Sequence, residues 1–101
     1  GMAAHLGGVL AASTTLPVIG IPCKSSCFDG MDALLSTVMM PPGIPVASVG
    51  VNAAKNAALY AAEILAVTDD ALAQKLSDMR VEMAETVLQK DAALQQTVDE
   101  I

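Results

Sequence analysis

Leu16-Pro17-Val18-Ile19-Gly20-Ile21 is the stretch that decides the fold class of this 101-residue chain. It is a short apolar run with β-branched residues, closed by Pro22 and the polar Lys24 and Ser25, and this predicts a buried strand over residues 16–21. A run of the same kind, Ile44-Pro45-Val46-Ala47-Ser48-Val49-Gly50-Val51, predicts a second strand over residues 44–51. Between them, Met31, Leu34, Leu35, Val38 and Met39 follow helical spacing. Asp29 is expected to cap that helix, with Asp32 substituting for the capping-box acid. Met40-Pro41-Pro42-Gly43 ends it, because the residue before a proline is pushed out of the helical region and a proline supplies no N–H. Strand, helix, strand predicts parallel pairing through a helical crossover, and hence an α/β fold.

Downstream, Asn52 is expected to cap a helix over residues 53–66, in which Ala54, Ala57, Ala58, Ala61 and Ala62 permit close packing. A last helix is expected from Thr68, with Asp69 and Asp70 favourably placed in its first turn. Leu72, Leu76, Met79, Met83, Val87, Leu94 and Val98 give it an intermittent apolar stripe. A free coiled coil is the rival, but the stripe lacks several heptads of large residues. Upstream, Gly1-Met2-Ala3-Ala4-His5-Leu6-Gly7-Gly8 puts the single histidine in a run of small residues, where backbone N–H groups can approach a small anion. Residues 3–12 are expected to form a helical turn or short helix. Such a run normally follows a strand, and two strands do not make a sheet with both faces covered. Residues 1–67 are therefore expected to be the later part of a larger α/β domain, and residues 68–101 a helix packing on a neighbouring subunit.

Composition agrees with an assembly. The chain is 53% hydrophobic yet has one Phe, one Tyr and no Trp, so its apolar surface is made of many small contributions. Ala-rich faces pack closely but bury little area each, and the apolar excess predicts that much of the surface meets other subunits. A net charge of −6 with only five Lys and Arg leaves no basic stripe for nucleic acid. Charges interrupt every apolar run before it reaches the roughly 18 to 20 residues that span a bilayer, and no basic leader is evident, so no membrane partner and a cytoplasmic location are expected. Cys23 and Cys27 are then expected to be reduced thiols, and their spacing with one histidine matches no zinc framework.

These segments resemble the C-terminal part of class I PurE, the N5-carboxyaminoimidazole ribonucleotide mutase family. The family's Ala-Gly-Gly-Ala-Ala-His-Leu-Pro-Gly is similar to Gly1, Ala3, Ala4, His5, Leu6 and Gly8, with Met2 and Gly7 departing from it. The likeness continues through residues 15–22, 30–36, 40–46 and 56–59, in family order. Ala3-Ala4-His5-Leu6 is similar to the mutase branch, whereas the carboxylase branch carries a different polar sequence there. The family's Ser-Gly-Ser-x-Ser-Asp phosphate loop and Ala-His-Arg segment do not occur in these 101 residues.

The resemblance implies a three-layer α/β/α, flavodoxin-like parallel-sheet domain assembled as a homo-octamer, with sites between subunits. It also implies a reaction on a small ribonucleotide: the N5-carboxylate leaves as CO2, C4 of the aminoimidazole attacks it, and loss of the C4 proton restores aromaticity. That chemistry needs no metal, ATP or biotin. It needs a closed pocket that keeps water out and the ring in near-attack geometry. His5 is implied as a catalytic residue that hydrogen-bonds the migrating carboxyl or helps move a proton, while the family histidine most often credited with proton transfer belongs to the Ala-His-Arg segment. Taken by itself it better fits a helix-surface or interface histidine with a structural hydrogen bond. Gly1, Ala3, Ala4, Leu6, Ser25, Met40 and Pro41 are implied as substrate contacts. Ser25 also fits an ordinary strand-to-helix turn, and Met40-Pro41 a simple helix terminator. Two other functions stay open at this level: a non-catalytic oligomerisation or scaffold piece, and an aminoimidazole ribonucleotide carboxylase that uses free CO2.

Overall fold

The computed structural model describes residues 6–25 and 28–101. They form α1 (Leu6–Ala12), β1 (Ile19–Gly20), a short 3-10 turn (Phe28–Gly30), α2 (Met31–Val38), β2 (Ala47–Ser48), α3 (Ala54–Ala66) and α4 (Asp70–Asp99). Two compact units divide the chain, Gly1–Ala61 and Ala62–Ile101.

In the first unit β1 and β2 pair in parallel, with Ile19 opposite Ala47 and Gly20 opposite Ser48. The intervening α2 contacts β2, so the α/β class is present as a small parallel sheet with a helical crossover. Both strands are much shorter than residues 16–21 and 44–51. Pro17, Pro22 and Pro45 lack the N–H that a ladder needs, and a turn closed by Ala53 N–H to Gly50 O, 3.1 Å, ends the second run. The ladder extends only slightly past the assigned strands, through Ala47 N–H to Val18 O at 3.1 Å and Val49 N–H to Gly20 O at 3.3 Å. Gly20 is buried where α2 comes closest to the sheet: a Cβ there would overlap the γ-methyl of Thr37.

The entry to α2 differs from the expected cap. Asp29 is left-handed (φ 52°) inside the 3-10 turn, and Gly30, also left-handed (φ 88°), occupies the N-cap with no side-chain hydrogen bond. The Asp29 carboxylate lies instead 3.5 Å from Lys24 Nζ on the surface. Asp32 does not reach back as a capping acid either, and its Oδ1 is enclosed without a hydrogen-bond partner. Two successive left-handed residues turn the chain too sharply for either carboxylate to face the first helical amides. Gly30 is needed there because a Cβ would come within 2.7 Å of Val51 Cγ1.

Asn52 is likewise not a helix cap. It is left-handed (φ 60°), and α3 starts two residues later at Ala54. Of the alanines expected to pack, Ala57 is buried, Ala61 and Ala62 are half-buried, and Ala54 and Ala58 are exposed.

In the second unit Asp69 caps α4: its carboxylate accepts the Leu72 N–H at 3.0 Å. Asp70 follows as the first helical residue, where its charge meets the positive end of the helix dipole. Thirty residues give a helix about 45 Å long. Arg80 joins it to the end of α3 through Glu63, at 3.3 Å. Along the stripe, Leu72, Leu76 and Met79 are half-buried, while Met83, Val87, Leu94 and Val98 are exposed. Among the described residues, no helix is long and apolar enough to cross a membrane.

Candidate functional site

The first turn of α1 and β1 form opposite walls of a cleft of about 410 Å³. Leu6, Gly7, Gly8 and Leu10 line one side, Val18, Ile19, Gly20 and Ile21 the other, and Cys23 and Thr37 complete it. Gly8 is buried and Gly7 half-buried, because α1 lies close over the strands; a Cβ at Gly7 would meet Val46 Cγ1 at 4.0 Å. The cleft runs toward the carboxyl end of β1, the edge at which open α/β sheets bind ligands. Its wall is mainly apolar, with the Cys23 thiol and the Thr37 hydroxyl as polar groups. Both are engaged, Cys23 Sγ with Ile21 O at 3.5 Å and Thr37 Oγ1 with Ala33 O at 2.8 Å.

A larger cleft, about 840 Å³, lies at the opposite, amino end of the strands between residues 11–18 and 43–45. Of the candidate site residues within the described part of the chain, Leu6, Ser25, Met40 and Pro41 are all absent from its lining. Size alone would favour it, but position favours the smaller cleft, where Leu6 directly follows His5.

Gly1, Ala3, Ala4 and His5 themselves lie outside the described residues, as do Ser26 and Cys27. Leu6 is 68% exposed at the start of α1 and lines the cleft. Ser25 sits half-buried in the loop that leaves β1, outside the cleft wall. Met40, half-buried, and Pro41, exposed, lie beyond the end of α2, where Met40 N–H bonds Val38 O at 3.1 Å and Pro41 O accepts the Ile44 N–H at 3.2 Å. Both also lie outside the wall, so the described part of the site brings Leu6 together with β1 but leaves Ser25, Met40 and Pro41 apart from it. Among the described residues, no three His, Cys, Asp or Glu side chains converge.

Sequence reasoning missed Asn52. Its Oδ1 accepts the Lys24 N–H at 2.8 Å and its own N–H donates to Pro22 O at 2.8 Å, so it joins the loops that follow the two strands. An Asn just before an alanine-rich helix reads as a cap; its left-handed backbone and the engagement of its Oδ1 with the Lys24 amide show otherwise.

A family model described as AIR carboxylase matches residues 1–86. The chain is similar to the N5-carboxyaminoimidazole ribonucleotide mutase of Pyrococcus abyssi, 58% identical over 83 residues that make up 82% of this chain and 48% of that protein. The mutase of Bacillus subtilis is 52% identical over 96 residues, covering 93% of this chain and 59% of that protein. The phosphoribosylaminoimidazole carboxylase of Saccharomyces cerevisiae is 47% identical over 95 residues, 94% of this chain but 17% of that protein. The chain thus spans about half the length of the mutases it matches. A match across residues 1–86, with relatives this similar over most of its length, shows that the chain belongs to the AIR carboxylase family.

Proposed function

We propose that this chain supplies part of the active site of an N5-carboxyaminoimidazole ribonucleotide mutase, which forms 4-carboxy-5-aminoimidazole ribonucleotide by decarboxylation and recarboxylation within one pocket. The observation that carries this is the 58% identity to a protein named for that activity, over a stretch that includes most of the chain. The apolar cleft beside Leu6 supports it, because a non-polar wall excludes the water that would otherwise hydrate CO2. His5 acts on the migrating carboxyl or the C4 proton. Gly1, Ala3, Ala4 and Leu6 form the cradle, Ser25 contacts the ribonucleotide beyond the cleft wall, and Met40-Pro41, apart from the cleft within the single chain, reaches the pocket of a neighbouring subunit.

The domain proposed is the flavodoxin-like three-layer one, in which β1 and β2 are two strands of a wider parallel sheet. The assembly proposed is a homo-octamer, with α4 packed on a neighbouring subunit. Support comes from burial: among the described residues the enclosed positions are Gly8, Ala11, Gly20, Pro22, Gly30 and Ala57, none with a large side chain.

A second reading has its own support, since the yeast relative at 47% identity is named a carboxylase. The two are separated by supplying the natural polypeptide that contains these residues with either N5-carboxyaminoimidazole ribonucleotide alone or aminoimidazole ribonucleotide with CO2. Turnover of the first without ATP is expected; turnover of the second alone contradicts the mutase reading. His5→Asn is expected to lower turnover at least 100-fold, within the range of lost acid–base catalysis, with the oligomer mass unchanged.

A further inference from the structure

Asn52 stands where the parallel ladder stops. The rungs Ala47 N–H to Val18 O and Val49 N–H to Gly20 O advance two residues on each strand. The next, Asn52 N–H to Pro22 O at 2.8 Å, advances three on one strand and two on the other. One residue has been inserted, and Asn52 has turned left-handed, a region that Asn enters more readily than most non-glycine residues. From there its Oδ1 takes the Lys24 N–H, so a side chain replaces the main-chain acceptor that a further rung would have used. Gly30 closes another side: its Cβ position lies 3.4 Å from Lys24 Cα. Pro22 at the base of the loop is fully buried. The chain is therefore held at Pro22 and Lys24, and Ser25 is the next residue, one Cα step of about 3.8 Å away.

We infer that Asn52 is a positioning residue for substrate: its carboxamide, by holding the Lys24 amide, sets the direction in which the loop presents Ser25 to the ribonucleotide. This rests on the reading of Ser25 as a substrate contact. The Lys24 to Asn52 bond is solvent-exposed, so its loss redirects the loop without opening the packed interior.

The test uses steady-state kinetics of the natural polypeptide with N5-carboxyaminoimidazole ribonucleotide. Asn52→Gly keeps the left-handed backbone and removes the carboxamide; Asn52→Asp restores an oxygen at the same place. The expected result is a KM raised about tenfold in Asn52→Gly with kcat little changed, as for lost binding that is equal in the ground and transition states, and recovery in Asn52→Asp. Adding Asn52→Gly to Ser25→Ala is expected to raise KM no further than Ser25→Ala alone. Hydrogen exchange at the Lys24 amide is expected to quicken in Asn52→Gly whatever the activity. An unchanged KM in Asn52→Gly, when Ser25→Ala raises it, overturns the role of Asn52. Failure of Asn52→Asp to recover KM also overturns it. An unchanged KM in Ser25→Ala instead overturns the substrate contact on which the inference rests.

Discussion

At the scale of single residues, Gly20 fixes how closely α2 lies on the sheet. The Thr37 methyl fills the space where a Cβ would stand, Val46 Cγ1 is 3.3 Å from it, and Thr37 is held in its rotamer by the bond to Ala33 O. Gly20→Ala is expected to destabilise the fold by about 1–3 kcal/mol, the usual cost of overpacking a tight contact. Thr37→Ser removes the methyl and keeps the hydroxyl, so the double variant Gly20→Ala/Thr37→Ser is expected to recover much of the loss in denaturant titrations. Additive losses would place the strain elsewhere. Gly20 was legible only as part of an apolar strand run, and the close approach of Thr37 at its Cα is a finding of the structure. Asp29, Gly30 and Asn52 were not: capping patterns depend on residue type and spacing, whereas these three act through left-handed backbone that spacing does not reveal.

At the scale of elements, the order of helices and strands was readable and their lengths were not. Apolar runs located both strands, but the ladder is limited by N–H groups, and prolines truncated it to Ile19–Gly20 and Ala47–Ser48. α2 ends at Val38, just before the prolines that were expected to stop it. For α4 the acidic start was read correctly in kind, although Asp69 proves to be the cap and not a first-turn residue. Its bond to Leu72 N–H is a measurable contribution. Asp69→Ala is expected to cost about 1 kcal/mol and to fray the first turn of α4, while Asp69→Asn retains most of the cap. Unfolding followed by far-UV circular dichroism checks both, and equal losses in the two variants would show that charge matters more than the cap.

At the scale of the whole molecule, the apolar surface is the dominant fact. Leu6, Val9 and Leu10 on α1 and Val87, Leu88, Leu94 and Val98 on α4 are all more than half exposed, while among the described residues the enclosed positions hold only glycine, alanine and proline. At roughly 25 cal/mol per Å² of apolar area, covering such faces is a strong drive for association. Deleting residues 70–101 is expected to reduce the oligomer mass measured by light scattering; an unchanged mass would count against a role for α4 in assembly. The site was legible mainly through resemblance, because periodicity predicts helices and strands but not which small residues cradle a carboxylate. The proposed chemistry keeps CO2 inside one closed pocket, and labelling the N5-carboxylate of the substrate with carbon-13, in a solution of unlabelled bicarbonate, tests that most directly. Retention of the label at C4 of the product is the predicted result; a product carrying unlabelled carboxyl would contradict it.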